Sequence, residues 1–224
     1  MTSNYELYNI DPEEIEDVLV KVESSFDIKF ENNELANSTT FGELCDHITS
    51  KIELENSDDC TSQQAFYKLR SAISSTLKLD GKIISLDTLL SDILPRKGRR
   101  LGIKQLENHL GFKLNILRPP HWAIASLLII FLASLIGLYF NWQFGLLGLG
   151  FSISGFWVAH KIGNEFDVQT IRQVVEKMTR ENYIKARRNA STFNKNEVEK
   201  ALTDLFSADL DLEKSKLSRE ARIR

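Results

Sequence analysis

The chain is predicted to be all-α: helical bundles in its charged parts and a hairpin of two apolar helices long enough to cross a membrane. Three observations predict this. Apolar residues recur at three- and four-residue intervals through the charged segments, as one face of a helix requires. No window alternates apolar and polar residues convincingly over six positions; Ile28 and Phe30 make only a short extended stretch. In a chain of 224 residues, the 42 consecutive positions from Pro119 to His160 hold no Asp, Glu, Lys or Arg. One helix of that length would reach roughly 63 Å, about twice the hydrocarbon thickness of a bilayer, so two spans fit better.

The elements follow in order. Asp11-Pro12-Glu13-Glu14 opens the first helix: Asp suits the N-cap, Pro the first helical position, and Glu14 stands at capping-box spacing. Ile15, Val18, Leu19, Val22 and Phe26 make its apolar stripe. Thr40 with Glu43 starts a second helix through Leu44 and Ile48. Beyond a polar linker, Thr61 and Gln64 form another capping-box pair, and Phe66, Leu69, Ile73 and Leu77 share one face. A loop from Lys78 to Leu94 carries Leu79, Ile84, Leu86 and Leu90. Ile103, Leu106 and Leu110 stripe the next helix, which runs to the break at Arg118-Pro119-Pro120.

The two spans are read at 122–140 and 144–159, with Asn141-Trp142-Gln143 as the turn. Small residues four apart, Ala133 with Gly137 and Gly148 with Ser152, suit close helix packing. Trp122, Tyr139, Trp142 and Trp157 lie near the span ends, as interfacial aromatics do. Ile171, Val174, Val175 and Met178 mark a later helix, and Val198, Leu202, Leu205 and Phe206 the last. The resulting divisions are 1–55, a linker at 56–62, 63–118, the hairpin at 119–160, a return helix and linker at 161–192, and 193–224.

Charge is unevenly placed under a net −3. Residues 1–62 carry 16 acids against 3 bases, and residues 95–121 carry 7 bases against one acid. Basic residues flank the hairpin and its turn has none, so the positive-inside rule puts both tails in the cytoplasm. The acidic N-terminal region shows no cleavable leader pattern. In a reducing compartment Cys45 and Cys60 are expected as free thiols, with Cys45 on the apolar side of its helix.

At residues 11–48 the chain resembles the second half of an acyl carrier protein. The stretch D-P-E-E-I-E-D-V-L-V-K-V-E-S-S-F-D-I-K-F-E-N-N-E-L-A-N-S-T-T-F-G-E-L-C-D-H-I follows the carrier's course of an amphipathic helix ending in L-E-x-x-F, an extended turn, T-T and a last helix. Residues 196–224 look like a carrier's first helix and following loop, so one carrier-like domain is completed in permuted order from 193–224 and 1–55. A second is traced through 65–94, Leu106 to Leu114 and Thr170 to Met178, interrupted by the hairpin. The resemblance also implies a defect. Pro12 occupies the position of the serine that carries phosphopantetheine, and the second copy has no serine between Ser91 and Ser126. No cofactor is therefore expected.

The remaining chemistry is sparse. His47, His109, His121 and His160 are scattered, His121 and His160 bracketing the hairpin; no C-x-x-C, P-loop, dinucleotide fingerprint, G-x-S-x-G or H-E-x-x-H occurs. No catalytic or metal residues are expected, and the protein is read as not an enzyme. Two charged sets remain. The acidic helix (Glu13, Glu14, Glu16, Asp17, Glu23) is either a docking face for basic enzymes or a solvated face. Arg96, Lys97, Arg99 and Arg100 serve as a topology signal, a contact for anionic membrane, or a receptor for an acidic partner, a second copy included. Arg187-Arg188 reads as a solvated run, and nucleic acid is disfavoured because the basic cluster lies against lipid. The expected protein is a membrane-anchored, non-catalytic docking or scaffold module of carrier shape. Its expected partners are acyl-chain, lipid or secondary-metabolite enzymes. The alternatives are a true carrier with a relocated serine and a membrane structural or assembly subunit that self-associates.

Overall fold

The computed structural model describes residues 10–31 and 34–223, and these are mostly helical. Helix α1 (Pro12–Phe26) starts on Asp11, whose carboxylate accepts from the Glu13 amide at 3.0 Å; Glu14 closes no reciprocal box. Helix α2 (Phe41–Lys51) has the full capping box of Thr40 and Glu43. Helix α3 (Thr61–Leu77) corrects the expectation at Thr61, which lies inside the helix after Cys60 and turns its hydroxyl to Tyr183 and Arg187. Next come a short α4 (Leu90–Ile93), α5 (Arg99–Leu110), the hairpin helices α6 (His121–Phe140) and α7 (Trp142–Ile162), then α8 (Ile171–Glu181), α9 (Tyr183–Ala186) and α10 (Lys195–Asp209). Among the described residues, four two-residue strands form two ladders: β1 (Glu55–Asn56) pairs in parallel with β4 (Thr192–Phe193), and β2 (Leu117–Arg118) antiparallel with β3 (Glu165–Phe166).

Two cores organise the charged parts. In the first lobe, Val18, Val22 and Phe26 of α1 and Phe41, Leu44 and Ile48 of α2 pack with Val198, Leu202, Leu205 and Phe206 of α10. Residues from both ends of the described chain thus share one apolar cluster, each at most 2 % exposed. In the second lobe, Leu69 and Ile73 of α3 meet Ile103, Leu106 and Leu110 of α5 and Ile171, Val174 and Met178 of α8.

The lobes repeat one another in detail. Glu23, near the end of α1, accepts from the Phe30 amide at 2.6 Å and from Lys29 at 2.8 Å. Glu107, near the end of α5, accepts from the Leu114 amide at 2.8 Å and from Lys113 at 3.3 Å. The box of Thr40 and Glu43 recurs as Thr170 and Gln173. The backbone pairs Phe41 N–H to Ala221 C=O and Ile223 N–H to Thr39 C=O recur as Ile171 to Thr88 and Leu90 to Gln169. Ser207 and Ser74 each donate to the carbonyl five residues on, Leu212 and Leu79. The repeat places α10, α1 and α2 in the order of α3, α5 and α8, so the first lobe is circularly permuted around the second.

The hairpin occupies one gap in this repeat. Between Phe30 and Thr40 the first lobe runs through a short 3₁₀ turn, Glu34–Asn37. Between the equivalent Leu114 and Thr170, the chain leaves to build α6 and α7 and returns through the β2–β3 ladder. The turn is tighter than expected, because Trp142 and Gln143 belong to α7. Asn141 alone links the helices, its side chain accepting from the Gln143 and Phe144 amides. Glycines set the helix spacing: a Cβ on Gly145 would stand 2.6 Å from the Leu138 nitrogen, and one on Gly148 would collide with the Ser134 hydroxyl. The outer faces are bare, with Ile129 67 % and Leu147 70 % exposed. The two helices have mean hydropathy 2.5 and 1.2, long and apolar enough to cross a membrane.

The junction between lobes is polar, and it overturns the reading of Arg187 as solvated. Arg187 is fully buried. Its guanidinium donates to the Asp59 carbonyl (3.2 Å), the Thr61 hydroxyl (2.6 Å) and the Thr192 hydroxyl (3.4 Å), while Nε has no partner among the described residues. Tyr183 donates to the Asn194 carbonyl at 3.1 Å, stacks on Phe26 at 4.9 Å, and gives its amide to Ser25 at 3.0 Å. These contacts join α1, α3, α9 and the start of α10.

Candidate functional site

The open site in the first lobe is a groove of about 380 Å³ along α1. Its walls are Ile10, Pro12, Ile15 and Leu19 on one side and Leu35, Leu44 and Ile223 on the other. The apolar stripe of α1 is wider than the core needs: Val18 and Val22 turn fully inward, whereas Ile15 and Leu19 are half-buried and line the groove. Pro12, exposed at the helix start, offers no nucleophile there. Ser38, the lining hydroxyl, sits across the groove after the 3₁₀ turn.

Four of the five acids assigned to α1 make an exposed acidic rim around its first turns. Glu13, Glu14, Glu16 and Asp17 are exposed, and Glu16 lines the groove itself. Glu23 stands apart. Its side chain is tied to Lys29 and to the Phe30 amide, which together hold its carboxyl below the usual range, so it closes the helix end.

The groove's other wall is pinned by a second carboxylate. Glu34 accepts from Lys51 through both oxygens at 2.6 Å, from the Glu31 amide at 2.7 Å, and lies 2.8 Å from His47 Nε2. Lys51, then the Glu31 amide and His47, bring its pKa from 4.5 down to about 2. A depressed carboxylate stabilises the fold fully above its unfolded value, and that contribution is lost as pH falls through the folded one. The amide resonances of Glu31 and Ser38 are accordingly expected to shift with a midpoint near 2 in an acid titration. A midpoint near 4.5 would show Glu34 unpinned.

The equivalent place in the second lobe is built differently. Arg99 stands eight residues before Glu107, as Ile15 stands before Glu23. It is 7 % exposed, donates to the Leu94 carbonyl at 3.1 Å and the Asn164 carbonyl at 2.7 Å, and lies 3.9 Å over the Phe166 ring. Burial lowers its pKa. Arg99 therefore braces the base of the hairpin and is withdrawn from any surface contact. Arg96 pairs with Glu165 at 2.7 Å, and Arg100 donates to the Lys161 carbonyl at 2.7 Å. Lys97 stays exposed. The basic cluster thus divides into two hairpin ties that keep exposed charge, one buried brace and one exposed lysine.

The thiols divide as well. Cys45 is 1 % exposed, and burial pushes its pKa up to about 12; Cys60 is exposed. Since the thiolate is the reactive form, a maleimide reagent at pH 7 is expected to modify Cys60 rapidly and Cys45 only after denaturation. Two equivalents taken up by the native chain would contradict this packing. No group of three or more His, Cys, Asp or Glu side chains that could hold a metal occurs among the described residues.

Sequence reasoning missed the hub of Thr61, Tyr183 and Arg187, whose partners lie more than a hundred residues apart. Comparison with family models, curated proteins and solved structures finds no match.

Proposed function

We propose that the protein is a membrane-tethered, non-catalytic docking module of acyl-carrier shape, whose recognition surface is the acidic rim and groove of α1. The observation that carries this reading is Pro12. It stands at the first turn of α1, beside an open apolar groove and among four exposed acids, where a working carrier would hold its prosthetic-group serine. The permuted repeat supports the same reading, because each lobe has the helix order the resemblance implies. The bare hairpin supports a bilayer anchor, the basic residues that flank it in the sequence support lobes on the cytoplasmic side, and anchoring raises the local concentration of whatever docks. The partners proposed are basic enzymes of acyl-chain, lipid or secondary-metabolite synthesis that recognise a carrier by its acidic helix.

Two measurements test it. Incubating the full chain with coenzyme A and a phosphopantetheinyl transferase is expected to leave its intact mass unchanged. A stable adduct, with Ser38 as the hydroxyl in the groove, would replace this reading with that of a true carrier. In detergent, the chain is expected to compete with a functional carrier for a carrier-dependent acyl-chain enzyme. Neutralising the rim (Glu13→Gln, Glu14→Gln, Glu16→Gln, Asp17→Asn) should slow association on the order of tenfold at low salt, as electrostatic steering predicts. Self-association without such competition would favour an assembly subunit.

A further inference from the structure

We propose that the outer face of α5 and the turn before it are a contact for anionic phospholipid, with Lys97, Arg100 and Lys104 at the lipid phosphates and Leu101 in the headgroup layer. This rests on the membrane reading above and adds a lipid class and a surface to it.

The face is one stripe. Positions 100, 101 and 104 share one face of α5, Lys97 stands in the turn just before the helix, ahead of Gly98, and all four are exposed, Leu101 by 62 %. Its place is fixed by Arg100, which donates to the Lys161 carbonyl at 2.7 Å where α7 ends. At that same end Lys161 lies 4.6 Å over the Trp157 ring. A bilayer holding the hairpin would therefore have its polar surface beside this stripe. Arg96, paired with Glu165, and Arg99, buried, are not part of it.

The internal repeat separates this face from an ordinary solvated helix. Counted back from Glu23 and Glu107, the positions of Lys97, Arg100, Leu101 and Lys104 correspond to Glu13, Glu16, Asp17 and Val20 of α1. The two helices share one fold and the same closing glutamate, so the fold does not require either charge. Positive charge stands on the lobe that carries the hairpin, and negative charge on the lobe that does not. Glu107, the acid within α5, is turned to Lys113 and the Leu114 amide. An anionic leaflet attracts each such base by roughly fivefold in affinity within a Debye length. An exposed leucine between three bases suits a helix lying in the headgroup plane.

The test uses the full chain with Cys60→Ser, spin-labelled at Gln105→Cys beside the stripe or at Ile129→Cys in the hairpin. Each is placed in phosphatidylcholine bilayers with or without about a third phosphatidylglycerol. The Ile129 label is expected to be open to oxygen and closed to a water-soluble relaxant in both lipids. The Gln105 label is expected to lose accessibility to the relaxant several-fold in the anionic bilayer only, and to regain it with Lys97→Gln and Lys104→Gln. Equal exposure of the Gln105 label in both bilayers, with the Ile129 label in lipid, would overturn the lipid contact and leave the anchor standing. A water-exposed Ile129 label would overturn both. Protection of the Gln105 label in phosphatidylcholine that disappears on dilution would assign the face to a second copy's acidic α1 and overturn the lipid contact.

Discussion

Deleting residues 195–224 is expected to unfold the first lobe and spare the second. Val198, Leu202, Leu205 and Phe206 are each at most 1 % exposed and contact the apolar sides of α1 and α2. Their burial contributes roughly 6–12 kcal/mol at the usual cost of exposing such side chains, comparable to the whole stability of a domain. The same deletion breaks the ion pair of Lys21 with Asp209 and leaves Asp46 without Arg219. It also strips the backbone partners of Phe41 and Thr39. The second core contains no residue of α10. Limited trypsin digestion should therefore cut at Lys21, Lys29 and Lys51 while α3, α5 and α8 stay protected. A peptide spanning α10 and the segment after it should restore protection when added in trans. Unchanged protection of residues 12–51 in the truncated chain would disprove the shared core.

Arg187→Ala is expected to cost about 3–5 kcal/mol, from lost packing and from the Asp59 carbonyl and Thr192 hydroxyl left without their charged donor. Arg187→Met should cost much less, about 0–2 kcal/mol, because a buried cation often contributes little beyond its shape. Two features make this the case here. Among the described residues no carboxylate pairs with Arg187, and its Nε finds no acceptor. The denaturant midpoint of the detergent-solubilised chain, followed through Tyr183 at the lobe junction, measures both. Equal losses for the two variants would mean that the hydrogen bonds, rather than the volume, hold the lobes together.

Local rules were readable from the residues and long-range ones were not. Each apolar stripe at helical spacing became a helix, and Thr40 with Glu43 closed its box because both partners lie within one turn. The same pattern failed at Thr61 and Gln64. There the hydroxyl had a stronger claim from Arg187, 126 positions away, and no local signal records such a partner. Arg187 itself looked solvated since nothing nearby in the chain announces a junction of two bundles. The missing charges mark the hairpin, but its turn is tighter than the polar triplet 141–143 suggests, because Asn141 alone caps the second helix and leaves Trp142 free to start it. The acids of α1 were legible as a set; that Glu23 would turn to its own helix end, while its four neighbours stayed at the rim, depended on the bend at Asp27.

The permuted order of the first lobe bears on how the chain is made. Domains generally form from the N-terminal side as synthesis proceeds at about 5–20 residues per second. Here α1 and α2 leave the ribosome early and have no core to join until α10 follows them. The hairpin helices emerge in between. The half-built lobe must therefore wait, its apolar stripe uncovered, until α6 and α7 have been synthesised. The groove beside Pro12 is then completed after the segment proposed to anchor it, so docking would begin at the bilayer and not before it.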